Sequence, residues 1–306
     1  MNREFAPMNA AELMDKVFDI YKKSFWNQVA FAAIISIVNI GVIFIATTVL
    51  MVAFLALVAT GLSLPSPADD VPGMLLLGVV IIILPFALIW QVFSALGHIL
   101  LSRQAFYGYR TSIADMGIFK VFFRVLSVVF ALLFVAIPFV AVAFGFIMAF
   151  VAFPGGLAFS GVGIVFLLAL GFGYLLLANM FSLSIAVAAF ERRYFFGALM
   201  RSWQLVKPNF WRVFGVRTAW MFSIFAFSFS AQGIFTLLGM LITLVAGTAP
   251  IGVLFSFFGI IFTSFIGPMV AAMLVAPLDG IMQSLLYFNQ RMKHEGFDLE
   301  LRLEKL

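Results

Sequence analysis

Three stretches of the chain, 27–68, 125–190 and 218–278, hold no charged residue. A run of about 18 uncharged, mostly apolar residues is long enough to cross the hydrocarbon core of a bilayer as a helix. Patches rich in proline and glycine at 61–73, 154–163 and 247–252, alternating with charged patches, divide the apolar sequence. The pattern predicts an all-α polytopic membrane protein with about six transmembrane helices, at 28–60, 72–101, 121–153, 161–190, 212–246 and 251–288. A helix of ~33 residues is ~50 Å long, well beyond a ~30 Å core, so tilted or kinked helices that project past the membrane are expected. Pro85, Pro138, Pro268 and Pro277 are the expected kink points, since each removes a backbone hydrogen bond. Eight spans with a re-entrant segment is the alternative arrangement.

The polar edges carry a second pattern. From Asn9 onward, Leu13, Val17, Tyr21 and Phe25 mark an apolar helical face, with Asp15, Lys16, Asp19, Lys22 and Lys23 away from it. Asn9 and Glu12 have the spacing of a capping pair that starts the helix. Such a helix is expected in the cytoplasmic headgroup layer, with Trp26 and Trp211 as interface anchors. The phrase Ile20-Tyr21-Lys22-Lys23-Ser24-Phe25-Trp26 returns as Leu205-Val206-Lys207-Pro208-Asn209-Phe210-Trp211, and Phe122-Phe123-Arg124-Val125 matches Phe210-Trp211-Arg212-Val213. We therefore expect one membrane domain, 1–306, built as three hairpins from internal repeats at 9–110, 111–197 and 198–306, each led by a cytoplasmic amphipathic helix.

Composition and charge sharpen the topology. The chain is 64% hydrophobic and only 10% charged, whereas a soluble domain needs about a quarter of its residues charged to cover its surface. Every lysine and arginine falls in the patches 1–26, 98–124, 190–217 and 289–306; the patches between them carry only Asp69 and Asp70. By the positive-inside rule both termini are expected in the cytoplasm. The net charge of +5 then reflects topology, and no nucleic-acid partner is expected. The absence of cysteine excludes disulfides and thiolate metal sites. The first 26 residues lack the layout of a cleavable signal peptide, so the first span is expected to serve as the insertion signal.

Two segments carry a family resemblance. The stretch Arg201-Ser202-Trp203-Gln204-Leu205-Val206-Lys207, followed by Asn209-Phe210-Trp211-Arg212-Val213, resembles the membrane domain of glycerophosphodiester phosphodiesterases and its stand-alone bacterial relatives. So does the tail, Leu285-Leu286-Tyr287-Phe288-Asn289-Gln290-Arg291 and then Glu295-Gly296-Phe297-Asp298-Leu299-Glu300. Asn289 departs from the pattern, which has an aspartate there. In that family catalysis belongs to a separate soluble barrel, which this chain does not contain. The resemblance implies a bacterial cytoplasmic membrane and an accessory or scaffold role rather than the family's enzymatic activity.

Candidate chemistry is sparse. His98 and His294 are the only histidines, too few for a histidine-rich metal site, and an interfacial hydrogen-bonded role is the simpler reading of each. The glycines sit in or beside spans, where helix packing explains them, and no phosphate cradle of P-loop type occurs. No cofactor is expected. Asp279, behind Pro277 and before Gly280, is the carboxylate most deeply placed in a span and is a candidate intramembrane ionisable site; the alternative is that it meets the interface or a base such as Arg217. Asn39, Gln91, Asn179, Gln232 and Gln283 are scattered over five spans, as residues hydrogen-bonding between helices would be. Arg192, Arg193, Arg201, Lys207 and Arg212, offset in part by Glu191, are candidates for docking a lipid headgroup or a partner. The expected function is a non-catalytic membrane scaffold or accessory subunit organising lipids or a partner membrane protein. The alternative is a small transporter or channel for a lipid-like or phosphate-bearing solute, and an intramembrane enzyme is a third class. A continuous polar cavity reaching Asp279 would favour transport, and a tightly packed bundle with an exposed apolar groove would favour the scaffold.

Overall fold

A computed structural model of the chain describes residues 7–59, 71–109, 112–152, 161–246, 259, 263 and 266–296. The loops expected at 61–73, 154–163 and 247–252, and the first part of the span expected at 251–288, lie almost wholly outside the described residues. What is described is helical: α1 (Ala10–Ala59), α2 (Val71–Phe106), α3 (Ile118–Ala152), α4 (Gly161–Met180), α5 (Ser184–Glu191), α6 (Phe195–Val206), α7 (Phe210–Ala246) and α8 (Gly267–Glu295). Short 3-10 turns at Ala114–Met116 and Lys207–Asn209 introduce α3 and α7. Five segments among the described residues are long and apolar enough to cross a membrane, within α1, α3, α4–α5, α6–α7 and α8.

The start of α1 follows the expected capping chemistry. Glu12 accepts from the Asn9 backbone N–H at 2.8 Å, and Asn9 Oδ1 accepts from the Glu12 N–H at 2.9 Å. From there α1 runs unbroken for 50 residues, so the amphipathic segment and the first span are one rod of ~75 Å. In the repeated phrase Lys23 stands where the later copy has Pro208. Lysine continues a helix, whereas proline lacks the N–H; accordingly the chain turns at Lys207–Asn209 between α6 and α7. The buried face of α1 also differs from the expected stripe. Leu13 and Val17 are buried, but the seam then passes through Ile20, Ser24, Gln28, Phe31 and Ile35, leaving Tyr21 and Phe25 half-buried at its edge. Each step of four residues overshoots a full turn by about 40°, so a strict four-residue stripe winds off the contact line.

Helix α8 lies at the centre of the bundle, against α1, α2 and α7, while α3 joins α2 to α5 and α6. The helix is continuous through Pro277, as α3 is through Pro138 and α2 is past Pro85. Pro268 lies in the first turn of α8, just after Thr263 and Ile266, which are in π-helical geometry. Among the residues whose burial is described, the core draws on α1 up to Ile35, α2 from Val92, α3 to Ala131, α5, α6, the start of α7 through Val213, Val216 and Trp220, and α8 from Ala271. Beyond it, Phe134 and Phe144 of α3, Leu168 and Phe172 of α4, and Phe225, Phe229 and Leu244 of α7 are exposed. A broad apolar surface of this kind suits contact with lipid chains and not with water.

The span expected at 161–190 is broken into α4 and α5 at Phe181–Leu183. The Ser182 N–H donates to the Asn179 carbonyl, which a continuous helix would reserve for Leu183. The freed Leu183 N–H is taken by Ser202 Oγ at 3.2 Å, and the Ser202 hydroxyl donates to the Met180 carbonyl at 2.9 Å. One serine of α6 therefore supplies both groups that the break releases.

Candidate functional site

Around that break, α3, α4, α5, α7 and α8 enclose three adjoining spaces. The largest, about 370 Å³, is bordered by Asn179, Arg217, Trp220, Asp279 and Gln283 among others. The second, about 230 Å³, shares Arg217, Gln283 and Tyr174 with the first, and adds Ser182 and Ser184 over an apolar floor of Leu132, Val135 and Ile185. The third, about 210 Å³, is an apolar groove between α3 and α4, lined by Phe139, Val140, Leu167 and Leu170, and again touches Tyr174. The sequence runs from a charged end to a hydrocarbon-like end.

The polar end is built from three helices. Arg217 lies two turns into α7, about 9 Å along the helix from the exposed Trp211. Among the described residues none hydrogen-bonds or ion-pairs with it; Asp279 attracts its guanidinium across the cavity without contacting it. Asp279 is exposed to this space and accepts from Gln283 Nε2, one turn on in α8, at 2.8 Å. Gln283 Oε1, Asn179 Oδ1, and the Oγ atoms of Ser182 and Ser184 are buried without hydrogen-bond partners. Buried polar atoms are rarely left so, and these four, with the Trp220 indole N–H, are divided over the two spaces that Arg217 and Gln283 share.

The basic docking candidates lie elsewhere. Arg201 donates from Nε to Glu191 at 2.8 Å and from Nη2 to Glu295 in an ion pair. Glu191 also accepts from the Tyr287 hydroxyl at 2.9 Å and lies 4.0 Å from both Arg193 and Arg291. Arg192, Lys207 and Arg212 are exposed, Arg192 in the left-handed conformation (φ 58°) that ends α5. Burial raises the Glu295 carboxyl, but hydrogen bonds from Arg291 and Arg201 outweigh it and hold its pKa below the ordinary value. The structure thus ties Arg201 into a carboxylate cluster and leaves three other bases of the patch facing outward. Trp26 and Trp211, 80% and 72% exposed, point away from the bundle as anchors would.

His98 is buried within the bundle and hydrogen-bonded. Its Nδ1 lies 2.8 Å from Gln28 Oε1, in a polar seam that continues through Ser102 Oγ, which donates to Ser284 Oγ at 2.7 Å. His294 meets Asn209 at 3.0 Å. Asn289 receives the Met8 N–H at 2.9 Å and donates to the Met8 carbonyl at 3.2 Å. An aspartate could do the first but not the second, which gives this asparagine a use of its own. Among the polar span residues, Gln232 donates to the Thr263 carbonyl at 3.0 Å, between helical segments as expected. Gln91 is exposed and Asn39 is half-buried.

Sequence reasoning paired Arg217 with Asp279 but missed Ser182, Ser184 and Ser202, because no glycine or proline marks the break that gathers them. Comparison of the chain with models of known protein families, with curated proteins and with solved structures gives no match.

Proposed function

We propose that the protein is a six-span membrane protein, with both termini cytoplasmic, that binds a phosphate-bearing amphiphile and carries it within the bilayer. The phosphate-bearing head sits at Arg217 and the hydrocarbon tail lies in the groove between α3 and α4. The observation that carries this reading is the row of adjoining spaces, charged at one end and apolar at the other, with Tyr174 bordering all three. An arginine without a carboxylate contact is suited to a phosphate, since its fork of donors matches two phosphate oxygens. The depth fits as well: Arg217 lies about 9 Å inward of Trp211, at the boundary between headgroups and acyl chains. This reading favours lipid handling over a purely structural scaffold, because a scaffold has no need of an unpaired arginine in a cavity.

The test is native mass spectrometry of the full chain released from lipid nanodiscs, beside flux of a fluorescent phospholipid in liposomes. Wild type is expected to retain a phospholipid that Arg217→Gln loses, with matching loss of flux. Retention and flux equal in the two proteins would refute the assignment.

A further inference from the structure

The two spaces offer different polar atoms. Beside Arg217, the 230 Å³ space offers the hydroxyls of Ser182 and Ser184 as donors, both buried and unpartnered. The 370 Å³ space offers two acceptors, the Asp279 carboxylate and the unpartnered Asn179 Oδ1, and one unpartnered donor, the Trp220 indole N–H. Gln283 borders both, spending its amide N–H on Asp279 and leaving Oε1 as a third acceptor. Arg217 borders both spaces.

A simple anion uses only half of this arrangement and is repelled by Asp279. A head that carries a phosphate and, a few bonds away, a cation uses both halves. A primary ammonium has three N–H donors for the three acceptors, whereas a quaternary ammonium has none and leaves them unpaired. We propose that the cavity selects an aminophospholipid-type head, its phosphate diester against Arg217, Ser182 and Ser184, and its primary ammonium against Asp279, Asn179 and Gln283. This inference rests on the reading of the cavity as an amphiphile site, and it adds the identity of the head.

The experiment uses the full chain in nanodiscs of equal phosphatidylethanolamine, phosphatidylglycerol and phosphatidylcholine, with the retained lipid identified by native mass spectrometry. Wild type is expected to retain phosphatidylethanolamine over each of the others by about tenfold, the size of one charge-assisted hydrogen bond. Asp279→Asn, nearly isosteric and bonded only to Gln283, is expected to bring the ratio to phosphatidylglycerol close to one, and Asp279→Glu to keep most of it. Equal retention of all three lipids by wild type, or an unchanged ratio in Asp279→Asn, overturns the proposal. Phosphatidylglycerol retained by wild type and lost in Arg217→Gln would overturn the head assignment while leaving the amphiphile site standing; no retained lipid at all removes both. Water-soluble phosphoethanolamine separates the sources: displacement of the lipid by it supports the same head chemistry on a free solute, and retention against it supports the lipid.

Discussion

Replacing Gly280 by alanine sets two physical effects against each other. Intrinsic helix propensity alone makes Gly→Ala stabilising by up to about 1 kcal/mol inside a helix. The packing of α8 on α2 says the opposite. A Cβ at Gly280 falls 2.5 Å from His98 Cβ, 3.2 Å from the His98 carbonyl carbon and 3.3 Å from the Ile99 nitrogen. Carbon atoms in contact settle at about 3.5–4.0 Å, so the two helices must part by about 1 Å. None of those atoms is the end of a flexible side chain, so nothing local can give. Parting the helices would also stretch the 2.7 Å bond between Ser102 and Ser284 beyond hydrogen-bonding range. Overpacking of this kind costs about 1–3 kcal/mol and the lost bond about 1 more. Set against the propensity gain, Gly280→Ala should therefore be less stable than wild type by about 1–3 kcal/mol, read by denaturant titration or thermal unfolding in detergent micelles. Gly215→Ala in α7, whose added Cβ meets nothing within 4 Å, is the control and should be neutral or slightly stabilised. If both variants are equally stable, or Gly280→Ala gains, the close α2–α8 contact is wrong.

Three further outcomes follow from the polar end of the bundle. Asn289→Asp removes the donor to the Met8 carbonyl and sets a carboxylate oxygen against it; a loss of about 1–3 kcal/mol and earlier proteolytic release of the N-terminal residues are expected. Arg192→Gly relieves a left-handed residue that costs about 1 kcal/mol, so its unfolding midpoint should rise, and a fall would show that the side chain does more than end α5. Arg201→Ala leaves Glu191 and Glu295 without their shared cation and should cost about 1–3 kcal/mol at neutral pH. Because the Glu295 pKa is depressed below 4.5 in the folded protein, its contribution is fully present above that value and lost as pH falls through the folded pKa. Acid titration should thus destabilise wild type more steeply than Arg201→Ala, and parallel curves would count against the pairing.

The sequence exposed most of the helical framework because charge-free stretches of such length have few other uses. The Asn9–Glu12 cap was equally legible, since both partners lie within one turn. Other features depend on groups far apart in the chain. Ser24 and Gln28 look like interruptions of an apolar face, yet they are buried, and Gln28 is satisfied only because α2 brings His98 to it. The partner of Asn289 is 281 residues away, and no periodicity reports it. Ser182 and Ser184 read as ordinary polar residues near the end of a span; only the turn at Phe181–Leu183 brings both to one cavity. Asp279 was conspicuous in the sequence because it is charged, whereas Asn179 and Gln283 stood out only as scattered polar residues, since nothing in their spacing placed them beside one cavity.

The dependence of the α4–α5 break on Ser202 bears on the order of assembly. The chain emerges from the ribosome with α4 and α5 ahead of α6, so for a time the serine that satisfies Leu183 and Met180 does not exist beside them. In lipid an unpaired backbone group costs several kcal/mol. The nascent segment is then better satisfied as one uninterrupted helix, with Leu183 bonded back to Asn179. Docking of α6 supplies the replacement partners and lets the helix divide. The cavity would thus be absent from the newly inserted hairpin and would open only late in biogenesis, when a later segment arrives to exchange one set of backbone bonds for another.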